Sequence, residues 1–124
     1  MSAVTKEIVL ARREAWIKNL LDTARFPRGV KYLCRAGKYC VWGVACETAL
    51  CGDPAICSRG GLGDTKTYDG CVSFPPWMIS QYFGFERVTV LAYANDQDTP
   101  LTKLGQMIRD EPIFIGRPHD YRRH

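Results

Sequence analysis

A chain of 124 residues, 46% hydrophobic and 24% charged, is long enough for one compact core and too short for two independent ones. No window approaches the roughly 18 continuous apolar residues of a membrane helix, and "MSAVTKEIVLARR" carries charge too early for a signal peptide. The expectation is a soluble, intracellular protein with no membrane partner. Its net charge of +4 is unevenly placed: residues 1–38 hold nine Lys/Arg against three Asp/Glu, and residues 39–111 five against nine. A basic first third suits an acidic partner, including nucleic acid, although modest charge of this kind is also an ordinary solvated surface.

In chain order, "TKEIVLARREAWIKNLLDTA" predicts an amphipathic helix with Ile8, Val9, Ala15, Trp16, Leu20 and Leu21 on its apolar stripe. Arg12, Arg13, Lys18 and Asp22 fall on the expected wet face. Pro27 and Gly29 then interrupt the helical pattern, and Gly37 supplies a turn between short extended pieces at 31–34 and 38–41. "VWGVACETAL" reads as a short buried helix in which Gly43 permits close packing. The Gly-rich segment 51–63 reads as a structured loop, and "TKTYDGCVSF" as a hairpin turning at Asp69 and Gly70.

"FPPWMISQYFGF" predicts a helix opened at Pro75 or Pro76 and stopped near Gly84, with Trp77, Met78, Tyr82 and Phe83 packing one side. Val88, Val90 and Ala92 read as a strand. A last helix follows, capped by Thr99, with Pro100 in its first turn, Leu101, Leu104, Met107 and Ile108 buried, and Pro112 ending it. Residues 113–115 are expected to dock. The fold class is therefore α+β, a mainly helical single domain over 1–116 with a small antiparallel hairpin or sheet, and 117–124 a basic tail.

The cysteines stand at 34, 40, 46, 51, 57 and 71, with no CxxC pair. On one regular helix, Cys40 and Cys46 differ by about 240 degrees and Cys46 and Cys51 by about 140 degrees, so these three do not face one point. Free structural thiols rank first, ahead of zinc assembled from distant ligands and of disulfides; no cofactor is predicted, with zinc the one alternative. Cys40, at a loop-to-helix junction, is the best thiol nucleophile candidate, but the two histidines, His119 and His124, lie near the chain end. Asp96 and Asp98 in "NDQD" lack the calcium-loop pattern and are more simply a turn. Gly60, Gly61 and Gly63 lack the following GK[ST] of a phosphate loop.

Four ordered pieces, "AWIKNLLDTARFPRGVKYL", "KYCVWGVACETA", "FPPWMISQYFGF" and "VLAYANDQDTPLTKLGQMIRD", resemble a family of small, mostly uncharacterised bacteriophage and prophage proteins. That family carries a tryptophan in its first helix, a Cys-Cys-Leu-Gly-Val-x-Cys core, a Leu-Pro-Pro segment and a late Leu-Asn-Asp turn. Cys40, Gly43, Val44, Cys46, Asn95 and Asp96 match, whereas Val41, Trp42 and Ala94 replace the family's second cysteine and two leucines. The resemblance implies a phage source, a compact α+β fold and a setting in the host bacterial cytoplasm; it supplies no catalytic mechanism.

Trp16, Cys40, Trp42, Gly43, Cys46, Trp77, Asn95 and Asp96 are thus read as structural. The leading functional expectation is a non-enzymatic accessory protein that contacts a host protein, modulating a host process or defence, through Arg12, Arg13, Arg25, Arg28 and Lys31. The runner-up is a nucleotide or nucleic-acid binder using a concave basic pocket of Arg25, Arg28, Lys31 and Arg35. A small metal- or cysteine-dependent enzyme is the third class.

Overall fold

A computed structural model of the protein describes residues 4–115. Over these residues the chain runs α1 (Lys6–Leu21), β1 (Cys34–Arg35), β2 (Lys38–Tyr39), α2 (Val41–Gly52), β3 (Arg59–Leu62), β4 (Thr65–Tyr68), α3 (Trp77–Tyr82), α4 (Val88–Asp96) and α5 (Leu101–Asp110). The class is α+β, with five helices beside one four-stranded antiparallel sheet among the described residues. The expected tail at 117–124 lies outside them.

Helix α1 opens on Thr5, whose hydroxyl accepts the Ile8 N–H at 3.2 Å, with Glu7 in the positive first turn. Its buried residues are Val9, Arg13, Trp16, Ile17 and Leu20, which recur at helical spacing along one stripe. Two expectations fail here. Ile8, Ala15 and Leu21 of the expected stripe stay exposed, and Arg13, placed on the wet face by its chemistry, is 1% exposed. The helix turns its charged residue inward because backbone carbonyls of two other helices converge to receive it, a long-range fact that helical periodicity does not carry.

Helix α2 is apolar nearly all round and is the centre of the core, with Val41 through Cys46 and Thr48 through Leu50 buried. The Cys40 Sγ caps it, accepting the Gly43 N–H at 3.4 Å. Gly43 lets the helix lie directly on the Leu33 carbonyl; a Cβ there would overlap that oxygen. Trp16 and Trp42 meet at 4.8 Å between ring centroids, joined by Phe83 and Phe85. Both indole N–H groups are satisfied in this apolar setting, Trp16 donating to the Val41 carbonyl and Trp42 to the Val88 carbonyl, each at 3.0 Å.

The sheet order is β2-β1-β4-β3, with Arg35 opposite Lys38 and Cys34 opposite both Tyr39 and Lys66. Ala36 and Gly37, at φ 54° and 75°, make the tight β1–β2 turn. The loop expected over 51–63 contributes β3 from its last residues. Asp69 and Gly70 do turn the chain, both at positive φ, but the return limb is the single Tyr68–Cys71 pair. The longer ladder forms instead between β3 and β4.

The expected strand at 88–92 is helix α4. Its β-branched residues weigh only tenths of a kcal/mol against helix, while helical geometry buries Leu91 and Asn95 on one face and leaves Val90 and Tyr93 in solvent. At α5 the N-cap is Pro100, with no side-chain capping bond, rather than Thr99. Leu104, Gly105 and Ile108 are buried, and α5 packs along α1 with Gly105 against Ile17. Beyond it, the Phe114 N–H donates to the Gly84 carbonyl at 2.8 Å.

Candidate functional site

The basic residues predicted as one surface do not stay together, and two places hold most of them. Arg13 enters the core from α1. Its Nε donates to the Phe83 carbonyl at 2.7 Å and its Nη2 to Gly84 at 2.9 Å. Its Nη1 donates to Ile108 at 3.2 Å and Glu111 at 2.5 Å, and a longer Nη2 contact reaches Pro112 at 3.4 Å. These carbonyls lie at or just beyond the C-terminal ends of α3 and α5, where helices present unpaired acceptors and negative dipole ends. Burial pulls the Arg13 pKa down, opposed by the charge of Glu111. Arg13 is therefore removed from any contact surface. Arg12 lies over the Tyr82 ring at 3.9 Å and donates to the Tyr82 carbonyl at 3.0 Å, on the same α1–α3 seam.

The second place is the segment between α1 and α2. It is held mainly through its backbone. Gly29 donates to the Tyr39 carbonyl and Tyr39 to the Pro27 carbonyl, each at 2.7 Å. The Lys31 N–H is taken by Asp96 at 2.9 Å, and the Leu33 N–H by the Val72 carbonyl at 2.7 Å. Buried Asn95 donates to the Gly29 carbonyl at 3.1 Å, while Arg28 Nη2 donates back to the Asn95 carbonyl at 3.1 Å. Asn95 and Asp96, expected as a structural turn, are thus the end of α4 that clamps this segment.

The clamped segment forms one wall of a groove of about 380 Å³, lined by Arg28, Gly29, Val30, Tyr32, Arg35, Ala36, Lys38 and Asp98. Three cations and one tyrosine share it with a single carboxylate. Arg35 lies over the Tyr32 ring at 4.7 Å. The ion pairs Arg28–Asp98 and Arg35–Asp64 are both long, at 3.9 Å, and both carboxylates are well exposed, a geometry that contributes about 1 kcal/mol or less. The buried Arg28 Nε and Asn95 Oδ1 have no hydrogen-bond partner among the described residues. Backbone strain gathers here as well: Ala36, Asp98 and neighbouring Lys31 have φ of 54°, 63° and 70°.

Of the predicted pocket, Arg28 and Arg35 line the groove. Lys31 stands next to it, beside a cavity of about 30 Å³ lined with Cys40, Phe74 and Asp96. Arg25 is elsewhere on the surface, its guanidinium 5.1 Å from the Phe26 ring. Lys38 and Tyr32 were missed. The signal for Lys38 was present in "RAGK", where a two-residue turn at Ala36 and Gly37 puts Lys38 opposite Arg35.

On the opposite face of the β1–β2 ribbon, Cys34, Gly37 and Tyr39 border a second concavity of about 300 Å³, floored by Gly60, Gly61 and Gly63 and closed by Asp64, Thr65 and Lys66. The Lys66 ammonium donates to the Tyr39 hydroxyl at 3.3 Å, lies 5.5 Å from that ring and makes a long ion pair with Glu47 at 3.9 Å. Behind it, Glu47 accepts from Arg59 at 2.6 and 3.0 Å and from the Tyr68 hydroxyl at 2.6 Å. Burial raises the Glu47 pKa, but those bonds and the nearby cations outweigh it and leave the carboxyl below its ordinary value.

The sulfurs are free thiols, buried at Cys34, Cys40, Cys46 and Cys57 and exposed at Cys51. Burial pushes Cys40 and Cys57 up to about 11 and Cys46 well above its ordinary value. At neutral pH these are protonated packing groups rather than nucleophiles. Among the described residues, no group of three or more His, Cys, Asp or Glu side chains is arranged to hold a metal ion, and no helix is long and apolar enough to cross a membrane. Comparison of the chain with protein-family models, curated proteins and solved structures returns no match.

Proposed function

We propose that this protein is a non-enzymatic binding domain whose groove takes a phosphate-bearing ligand, a nucleotide or a nucleic acid. One observation carries the reading: Arg28, Arg35 and Lys38 converge with Tyr32 on one concavity, the combination of cations and a ring that phosphates and bases recognise. The phage setting implied by the resemblance fits an acidic host protein or a nucleic acid; the tyrosine beside three cations favours the second.

Titration with thymidine monophosphate, followed by calorimetry at low salt, tests the reading. Saturable binding is expected, weakened about tenfold in R35A/K38A and weakened again as salt rises. Saturable binding that ignores both the double variant and the salt concentration would place the ligand elsewhere and end the proposal.

A further inference from the structure

The two concavities flanking the β1–β2 turn differ in charge, three cations and one carboxylate against one of each, but share one element. Each holds a tyrosine with a cation over or beside its ring: Tyr32 with Arg35 at 4.7 Å on one face, Tyr39 with Lys66 at 5.5 Å on the other. The alternation of a strand creates this arrangement, since Arg35 and Lys38 form one cross-strand pair and Cys34 and Tyr39 the next. The ridge between them is only the turn at Ala36 and Gly37, and β2 is an edge strand of the sheet. Gly60, Gly61 and Gly63 line the second concavity beside Tyr39, Asp64, Thr65 and Lys66, and Gly63 leaves open space where a side chain would stand.

From this pairing, and resting on the phosphate-binding reading above, we infer that the ligand is a single-stranded nucleic acid that crosses the β1–β2 turn. Its phosphates meet Arg28, Arg35 and Lys38 on one side and Lys66 on the other. A mononucleotide fills one concavity and leaves the second unused. A duplex is too stiff to bend over a single β-turn and keeps its base faces stacked internally, away from both rings. A single strand has the flexibility to cross the ridge and free bases to lay against Tyr32 and Tyr39.

The test compares thymidine monophosphate, a single-stranded oligothymidine of about ten nucleotides, a duplex of the same length and an oligoglutamate, each by fluorescence anisotropy or competition. The single strand is expected to bind at least about tenfold more tightly than the monophosphate and than the other two polymers. K66Q is expected to weaken the oligomer about fivefold, lower its salt slope by about 0.7 and leave the monophosphate unchanged, with circular dichroism confirming the fold. As a readout without substitution, the amide resonances of Gly61 and Gly63 should shift with the oligomer and not with the monophosphate. If the monophosphate binds through Arg35 and Lys38 but the oligomer gains nothing and K66Q is silent, the crossing strand is wrong while the groove stands. Equal affinity for duplex or oligoglutamate also overturns the inference. If no phosphate ligand binds at all, the groove reading itself falls.

Discussion

Arg13 and the pair Arg28 and Arg35 carry the same side chain and lie in the same basic third of the chain, yet the fold uses them oppositely. Arg13 gives its guanidinium to main-chain carbonyls at the ends of α3 and α5 and is sealed from solvent. Arg28 gives one N–H to the Asn95 carbonyl, and beyond that bond Arg28 and Arg35 are held by long, exposed ion pairs and a tyrosine ring beside open space. A structural cation is separated from one available to a ligand by how many of its N–H groups are already committed, not by its position in a charge run.

The largest expected effect tests the buried side of that contrast. R13A leaves several buried carbonyls unpaired and a cavity among helix ends, and is expected to cost about 3–5 kcal/mol in urea denaturation. A loss below about 1 kcal/mol would erase the distinction. G43A joins the two regions, because the added Cβ meets the Leu33 carbonyl just behind the groove segment. Its expected cost is about 3 kcal/mol, with ligand affinity falling alongside. R35A/K38A should do the reverse of R13A: stability within about 0.5 kcal/mol of the parent and binding weakened about tenfold.

The smallest expected effect concerns Glu47. Its folded pKa is depressed, so its contribution is present above the unfolded carboxyl pKa of about 4.3 and is lost as pH falls through the folded value. Chemical denaturation across pH 6 to 3 should therefore show E47Q about 1 kcal/mol less stable than the parent at the upper end, with the gap closing toward acid. A gap independent of pH would mean that Glu47 acts through packing alone.

Much of the helical frame was legible in local pattern. The stripe Val9, Trp16, Leu20, the apolar "VWGVACETAL" and the Leu104 and Ile108 pair each declare a buried helix face. The misreading of α4 came from taking Val88 and Val90 as strand formers when the deciding contacts, Trp42 to the Val88 carbonyl and Asn95 to the Gly29 carbonyl, join residues 46 and 66 positions apart. The burial of Arg13 was illegible for the same reason. In the site, Arg28 and Arg35 were readable as basic residues beside turns, whereas Lys38 required the register of the β1–β2 turn, and the second concavity required the pairing of Cys34 with Lys66 across the sheet.

The Arg13 seat also orders events during synthesis. Its first two acceptors, Phe83 and Gly84, follow it by 70 and 71 positions, and Ile108, Glu111 and Pro112 by 95, 98 and 99. On a translating ribosome, α1 emerges early with a guanidinium that has nothing in the protein to bind. A nascent chain halted before α5 therefore has an incomplete core, and burying Arg13 there leaves a charge short of acceptors. The seat of the first helix is therefore complete only when α5 and the residues just beyond it are in place.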